Sequence, residues 1–164
     1  TLPTRKRIAL IAHDARKQDL LEWSRYNKDT LAQHELVATG TTGTLLKEQL
    51  DLPITAYLSG PLGGDQQIGA RIVEGDIHVL IFFWDPLEMH PHDPDVRALL
   101  RVAVLKNIPV ATNRASADFL LTSPLLDEVY ERHEYDYANR LQRERIIEHV
   151  QGLDDLAPAE ADDE

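Results

Sequence analysis

No cysteine occurs among the 164 residues, which excludes disulfides, thiol catalysis and the cysteine spacings of zinc fingers. Nor is there an apolar run of the roughly 20 residues that a membrane span requires. The longest, Val79 to Trp84, is strand-sized, so the sequence predicts a soluble protein without a membrane partner. Basic charge is scarce as well: 17 Lys and Arg stand against 28 Asp and Glu, a net charge of −11. That balance argues against a nucleic-acid partner, because phosphate backbones are gripped by clustered Lys and Arg. Much of the excess is local. Asp154, Asp155, Glu160, Asp162, Asp163 and Glu164 carry six negatives with no base among them, and 17 bases against the other 22 acids leave the body near −5. The Ala, Pro and acid composition of this end predicts a solvated, disordered tail over 152–164. The remaining 1–151, within a chain that is 43% hydrophobic, is long enough for one domain with a substantial core. Internal repeats and linkers are absent. The chain begins at Thr1 and not Met, which is compatible with a few residues or a targeting segment preceding it, and no stretch in view reads as a signal peptide.

What is present is an alternation of short apolar runs with helical segments. Ile8 to Ala12, Glu35 to Ala38, Ile54 to Tyr57, His78 to Phe83 and Pro109 to Ala111 read as strands. Two of them are almost wholly apolar, as suits strands covered on both faces of a parallel sheet. Between the last two, Val96, Leu99, Leu100, Ala103 and Val104 share one face of a helix over Pro94 to Asn107. A terminal helix is expected over Tyr135 to Val150. The pattern predicts an α/β fold, doubly wound, with helices on both faces of five parallel strands. Ligands of such sheets bind beyond the carboxyl ends of the strands, and every polar constellation of the chain falls on that rim.

Each constellation has a structural and a chemical reading. His13-Asp14 suits a metal ligand set, a catalytic dyad or a helix cap; Lys17, four residues after His13, would put an ammonium on the same side or simply face water. Thr39-Gly40-Thr41-Thr42-Gly43 offers hydroxyls and open backbone N–H groups to a phosphate, or a threonine-capped turn. It lacks the Gly-Lys-Ser/Thr ending of a P-loop and the Gly-x-Gly-x-x-Gly dinucleotide fingerprint, so ATP and NAD lose support. In Ser59-Gly60-Pro61-Leu62-Gly63-Gly64-Asp65-Gln66-Gln67, glycines clear room beside a helix start that favours anions. An acid there, Asp65, is a helix cap or a base beside an anionic substrate. After the fourth strand, Asp85 is a turn former or the partner of a histidine. In His92-Asp93-Pro94-Asp95, Asp93 is suited to cap the next helix with Pro94 at its first position. His92 and Asp95 remain for chemistry, or for metal binding, or in the case of Asp95 for complementing the helix dipole.

Taken together, His13-Asp14, Thr39 to Gly43, Ser59 to Gln67, Phe82-Phe83-Trp84-Asp85-Pro86 and Pro91 to Val96 resemble the signature set of the methylglyoxal synthases, in order from about Arg5 to Asp118. No single segment suffices for that resemblance. Glu88-Met89-His90 and the acidic tail are not part of it. It implies a strand order of 3-2-1-4-5 and a cytoplasmic lyase that needs neither metal nor cofactor. Such an enzyme converts dihydroxyacetone phosphate to methylglyoxal and inorganic phosphate through an enediolate, is inhibited by phosphate, and assembles as a homo-oligomer, usually a hexamer. By the same resemblance Asp65 matches the catalytic base, and His13, Lys17, Thr39, Gly40, Thr41, Thr42, Ser59, Gly60 and His92 match substrate-binding positions. Asp14, Asp85 and Asp95 match acids of the active-site cluster.

Two rival readings use parts of the same set. A triose-phosphate isomerase or aldolase-like enzyme would share the base and the phosphate grip. A non-catalytic, effector-binding module like that of carbamoyl phosphate synthetase would need the phosphate cradle but not Asp65, His92 and Asp95.

Overall fold

The computed structural model describes residues 1–142. The expected tail over 152–164, and the expected terminal helix beyond residue 142, lie outside the described residues. Within them, that helix covers 137–142 and starts two residues later than the pattern suggested. It belongs to a unit beginning at Glu134; the sheet and its helices form a compact unit of their own, Thr1–His133.

The five apolar runs are strands β1 (Arg7–Ala12), β2 (Glu35–Ala38), β3 (Ile54–Ala56), β4 (Val79–Phe83) and β5 (Val110–Ala111). All pair in parallel, in the order β3-β2-β1-β4-β5. This is the expected α/β architecture with the expected strand order. β1 and β4 occupy the middle of the sheet, and all five residues of β4 are buried, which is why these two runs are continuous rather than alternating in polarity.

Between the strands run α1 (Lys17–Tyr26), α2 (Lys28–Leu31), α3 (Gly40–Leu50), α4 (Gly64–Glu74) and α5 (Asp93–Leu105), and α6 (Arg114–Thr122) follows β5. The two-residue side-chain period of a strand divides the core into two layers. Ile8, Leu10 and Ala12 of β1 face a cluster with Leu20 and Trp23 of α1, Leu46 and Leu50 of α3, and Ala117 and Leu121 of α6. Ala9 and Ile11 face the opposite cluster, with Ile68 and Ile72 of α4 and Val96, Leu99 and Ala103 of α5.

Helix starts bring several polar side chains to the rim, but few of these residues act as caps. Asn113 does: its side chain accepts from the Ser116 N–H and opens α6. Asp93, read as a cap of α5, is instead the first residue of that helix, and no side chain caps it. Thr39 precedes α3 and His13 precedes the short turn Asp14–Arg16, again without a side-chain cap. The capping reading of Asp65 also fails, because Gly63, with φ of 102°, occupies the N-cap of α4 and Asp65 lies inside the first turn.

Candidate active site

A cavity of about 260 Å³ opens at the carboxyl ends of β1 to β4. Of the residues singled out by sequence, His13, Asp14, Lys17, Thr39, Thr41, Thr42, Ser59, Gly60, Asp65 and His92 line it. They come from segments as far apart as β1 and α5, joined only by the parallel sheet. Gly40, Asp85 and Asp95 are not among its lining residues.

The β1 to β3 side of the cavity has the chemistry of a phosphate grip. The Lys17 ammonium lies 2.5 Å from Asp14 Oδ1 and 2.6 Å from Thr41 Oγ1. Asp14 is itself largely exposed, and the lysine holds its carboxyl below the ordinary range. Thr41 and Thr42 head α3, where first-turn N–H groups have no intrahelical acceptor and the dipole favours an anion. Gly40 does not offer its N–H to the cavity; that group donates to the Leu58 carbonyl at 3.0 Å. Its glycine character has another reason. A Cβ at Gly40 would stand 2.7 Å from the Ser59 nitrogen, so a side chain would push apart the two loops that form the grip.

The same cavity holds the acid and the imidazoles. Asp65 is 3% exposed, and its Oδ2 has no hydrogen-bond partner. Burial raises its pKa above the usual carboxylate value, opposed by His92 and reinforced by the charge of Asp95. The nearest imidazole nitrogen, His92 Nε2, is 3.9 Å from that oxygen. Gly60 makes room for the carboxylate, since a Cβ there would approach Oδ2 to 3.0 Å and Oδ1 to 3.2 Å. Asp95, which does not line the cavity, acts on Asp65 through its charge.

His13 is fixed more tightly than its position after a strand suggested. Its Nδ1 accepts the Asp85 main-chain N–H at 3.0 Å, which leaves the proton of the neutral ring on Nε2. That nitrogen is buried without a partner. Burial, with His90 and His92 nearby, lowers the His13 pKa to about 4. Asp85 was read as a turn former or as the partner of a histidine. Its backbone amide holds His13, while its Oδ1 accepts the Leu87 N–H at 3.1 Å and shapes the loop.

One lining residue, His90, belongs to no motif read from the sequence. Its ring stacks on His13 with centroids 3.7 Å apart and planes at 25°. A histidine two residues before His92 was the only signal, and it gave no orientation. Among the described residues, no group of three or more His, Asp or Glu side chains is placed to hold a metal ion.

In chemical terms the cavity pairs an anion grip with a desolvated carboxylate and imidazole nitrogens that lack protein partners. Buried polar atoms without partners cost stability, and groups of this kind mark sites whose partner is a ligand.

Comparison with known proteins points to one family. The family described as MGS-like domain matches residues 19–112. Methylglyoxal synthase of Saccharophagus degradans is 62% identical over 136 residues, covering 83% of this chain and 88% of that protein. Methylglyoxal synthase of Leptospira interrogans is 51% identical over 144 residues, covering 88% and 97% respectively. The crystal structure of methylglyoxal synthase from Elizabethkingia anophelis superposes with a TM-score of 0.81 at 48% identity, covering 85% of this chain and 92% of that one.

Proposed function

The chain belongs to the methylglyoxal synthase family, and from that premise we propose that its rim cavity converts dihydroxyacetone phosphate to methylglyoxal and inorganic phosphate. The observation that carries this reading is the pairing of a buried, unpartnered Asp65 with His92 in the same cavity as the Lys17 and threonine grip.

A proton next to a carbonyl is too weakly acidic for an ordinary carboxylate unless the developing oxyanion is stabilised at the same moment. Asp65, its basicity raised by burial, takes a proton from the hydroxymethyl carbon. The electron pair of the broken C–H bond moves onto the carbonyl oxygen, where His92 and the Nε2–H of His13 provide donors. As the enediolate collapses, the proton of the hydroxymethyl oxygen passes by way of His92 to the former carbonyl oxygen, that terminal carbon becomes an aldehyde, and the C=C electrons shift to expel the phosphate with the bridging C–O pair. The phosphate takes the proton held by Asp65, and the resulting enol gains a proton on its terminal carbon as it gives up its O–H proton, which yields methylglyoxal. Lys17, Thr41, Thr42 and the Ser59-Gly60 turn receive the leaving phosphate. The same grip serves substrate and product, which is the physical basis for inhibition by phosphate.

A homo-oligomer is the assembly this reading carries. The loops that supply Pro61 and His90 also expose Leu62 at 72%, Leu87 at 91% and Met89 at 93%, apolar surface of the kind covered by a second copy. No described helix is long and apolar enough to cross a membrane. A charged triose phosphate does not cross membranes unaided, so the enzyme works where that substrate is made, in the cytoplasm.

The test is incubation of the purified protein with dihydroxyacetone phosphate in EDTA, with methylglyoxal and free phosphate measured together. Equal release of both is expected. Phosphate without methylglyoxal, glyceraldehyde 3-phosphate in place of both, or no turnover overturns the reading. Light scattering on the same sample reports the assembly.

A further inference from the structure

We propose that His90 is a positioning residue for His13: its ring lies flat against that imidazole and, with the Asp85 N–H, holds Nε2–H of His13 toward the bound ligand. The inference rests on the functional reading above but uses different observations.

A histidine held by one hydrogen bond can still rotate about it, so a fixed donor direction needs a second constraint. Here there are three ring contacts. His90 covers one face at 3.7 Å and 25°. The Phe82 ring meets His13 edge-on at 4.9 Å and 77°. His92 lies beyond at 5.9 Å and 81°. Phe82 comes from rigid β4, whereas His90 comes from the loop between β4 and α5, and that loop is pinned on both sides of it. The Leu87 N–H donates to Asp85 Oδ1 at 3.1 Å, and the Asp93 N–H donates to the His90 carbonyl at 3.1 Å. His90 is thus carried by the same turn whose amide sets the tautomer of His13. The turn fixes both the proton and the plane of that ring.

His90 also closes the site against water. Its Nε2, like that of His13, is buried without a partner although the residue lines the cavity. Flat aromatic cover at this distance keeps the solvent from competing for the His13 donor, and a donor held in place loses less entropy when it meets an oxygen. A flat apolar ring should serve nearly as well as imidazole, because the role is one of contact.

The experiment compares His90→Ala and His90→Phe with the wild-type protein by three measurements. These are phosphate affinity by calorimetry, the tautomer and titration of His13 by nitrogen-edited NMR, and kcat against KM. Thermal unfolding of each variant checks folding. For His90→Ala, phosphate binding is expected to weaken roughly two- to tenfold, the span of one misaligned neutral hydrogen bond. KM should rise by a similar factor with kcat changed less, and the titration of His13 should move upward. His90→Phe should restore affinity and KM. A His90→Ala protein with unaltered phosphate affinity and His13 titration overturns the proposal. So does a folded His90→Phe protein that behaves like His90→Ala, since imidazole nitrogen would then be needed in its own right. Phosphate binding and NMR do not depend on turnover. If the wild type makes no methylglyoxal while the His13 signals still respond to His90, the functional reading falls and the positioning role stands.

Discussion

Replacing Gly60 by alanine should slow catalysis without unfolding the protein, because the added methyl has one neighbour of consequence. That neighbour is the Asp65 carboxylate, at 3.0 Å from Oδ2 and 3.2 Å from Oδ1. Ordinary carbon contacts lie near 3.5 Å, so the carboxylate must retreat by about half an ångström. Asp65 is 3% exposed and packed within the first turn of α4, so it cannot swing out into water. Misplacing a reacting group by 1 Å costs on the order of 10²-fold in rate. Half that displacement corresponds to about tenfold in kcat, or about 1.4 kcal/mol of transition-state stabilisation. The backbone imposes no further penalty, since positive φ among nearby glycines belongs to Gly63 and not to Gly60. The assay is a kcat and phosphate-inhibition comparison of Gly60→Ala with wild type, repeated in an Asp65→Asn background. In that background the methyl displaces a side chain that no longer acts as a base, so the second loss should be much smaller than tenfold. A Gly60→Ala enzyme with near-normal kcat, or an equal tenfold loss with and without the carboxylate, would refute the reasoning.

Asp65→Asn should lower kcat by about 10²- to 10⁴-fold, the usual contribution of a positioned base, while phosphate still binds. It should also raise the melting temperature at pH 7, because a buried carboxyl with a raised pKa is most stable at low pH and loses that stability as pH rises; a fall in Tm contradicts the desolvated site. For Lys17→Ala, loss of a charge-assisted contact should weaken phosphate inhibition and raise KM by roughly ten- to a hundredfold, and unchanged values of both return Lys17 to the role of a surface partner for Asp14. Stability should decline as pH falls from about 6.5 to about 4, since the unfolded chain protonates His13 over that window and the folded one does not. This one residue contributes up to roughly 3 kcal/mol, and His34 and His78, both lowered by burial, act in the same direction. Chemical denaturation that shows no slope across this window refutes the buried neutral state of His13.

The sheet was legible because parallel strands buried on both faces must be apolar throughout, and Ile8 to Ala12 and Val79 to Phe83 obey that rule. The rim followed from it, and with the rim came Asp65, His92 and the grip around Lys17. What stayed hidden is work done by the main chain. Asp85 holds His13 through its amide, and any residue but proline carries an amide there, so the side-chain letter misdirects. Gly40 looks like a phosphate donor, yet its N–H is spent on Leu58 and its missing side chain on Ser59. His90 could be noticed but not aimed, because its stacking depends on how a loop of nine residues closes. No motif marks Lys6 in the sequence. It is 2% exposed and donates to the carbonyls of Pro3 and Glu128, a partner 122 residues away that no local pattern can announce.

The placement of β1 between β2 and β4 has a consequence for how activity is lost. Lys17 stands at the start of α1, Thr41 and Thr42 in α3, Asp65 in α4, His92 just before α5 and His13 just after β1, and all of them line one cavity. No one of these segments encloses it alone. A partly unfolded chain therefore has no weakened version of this site, only none. Enzyme activity and sheet content should vanish together along a denaturant titration, which makes turnover a census of intact molecules rather than a gauge of local damage.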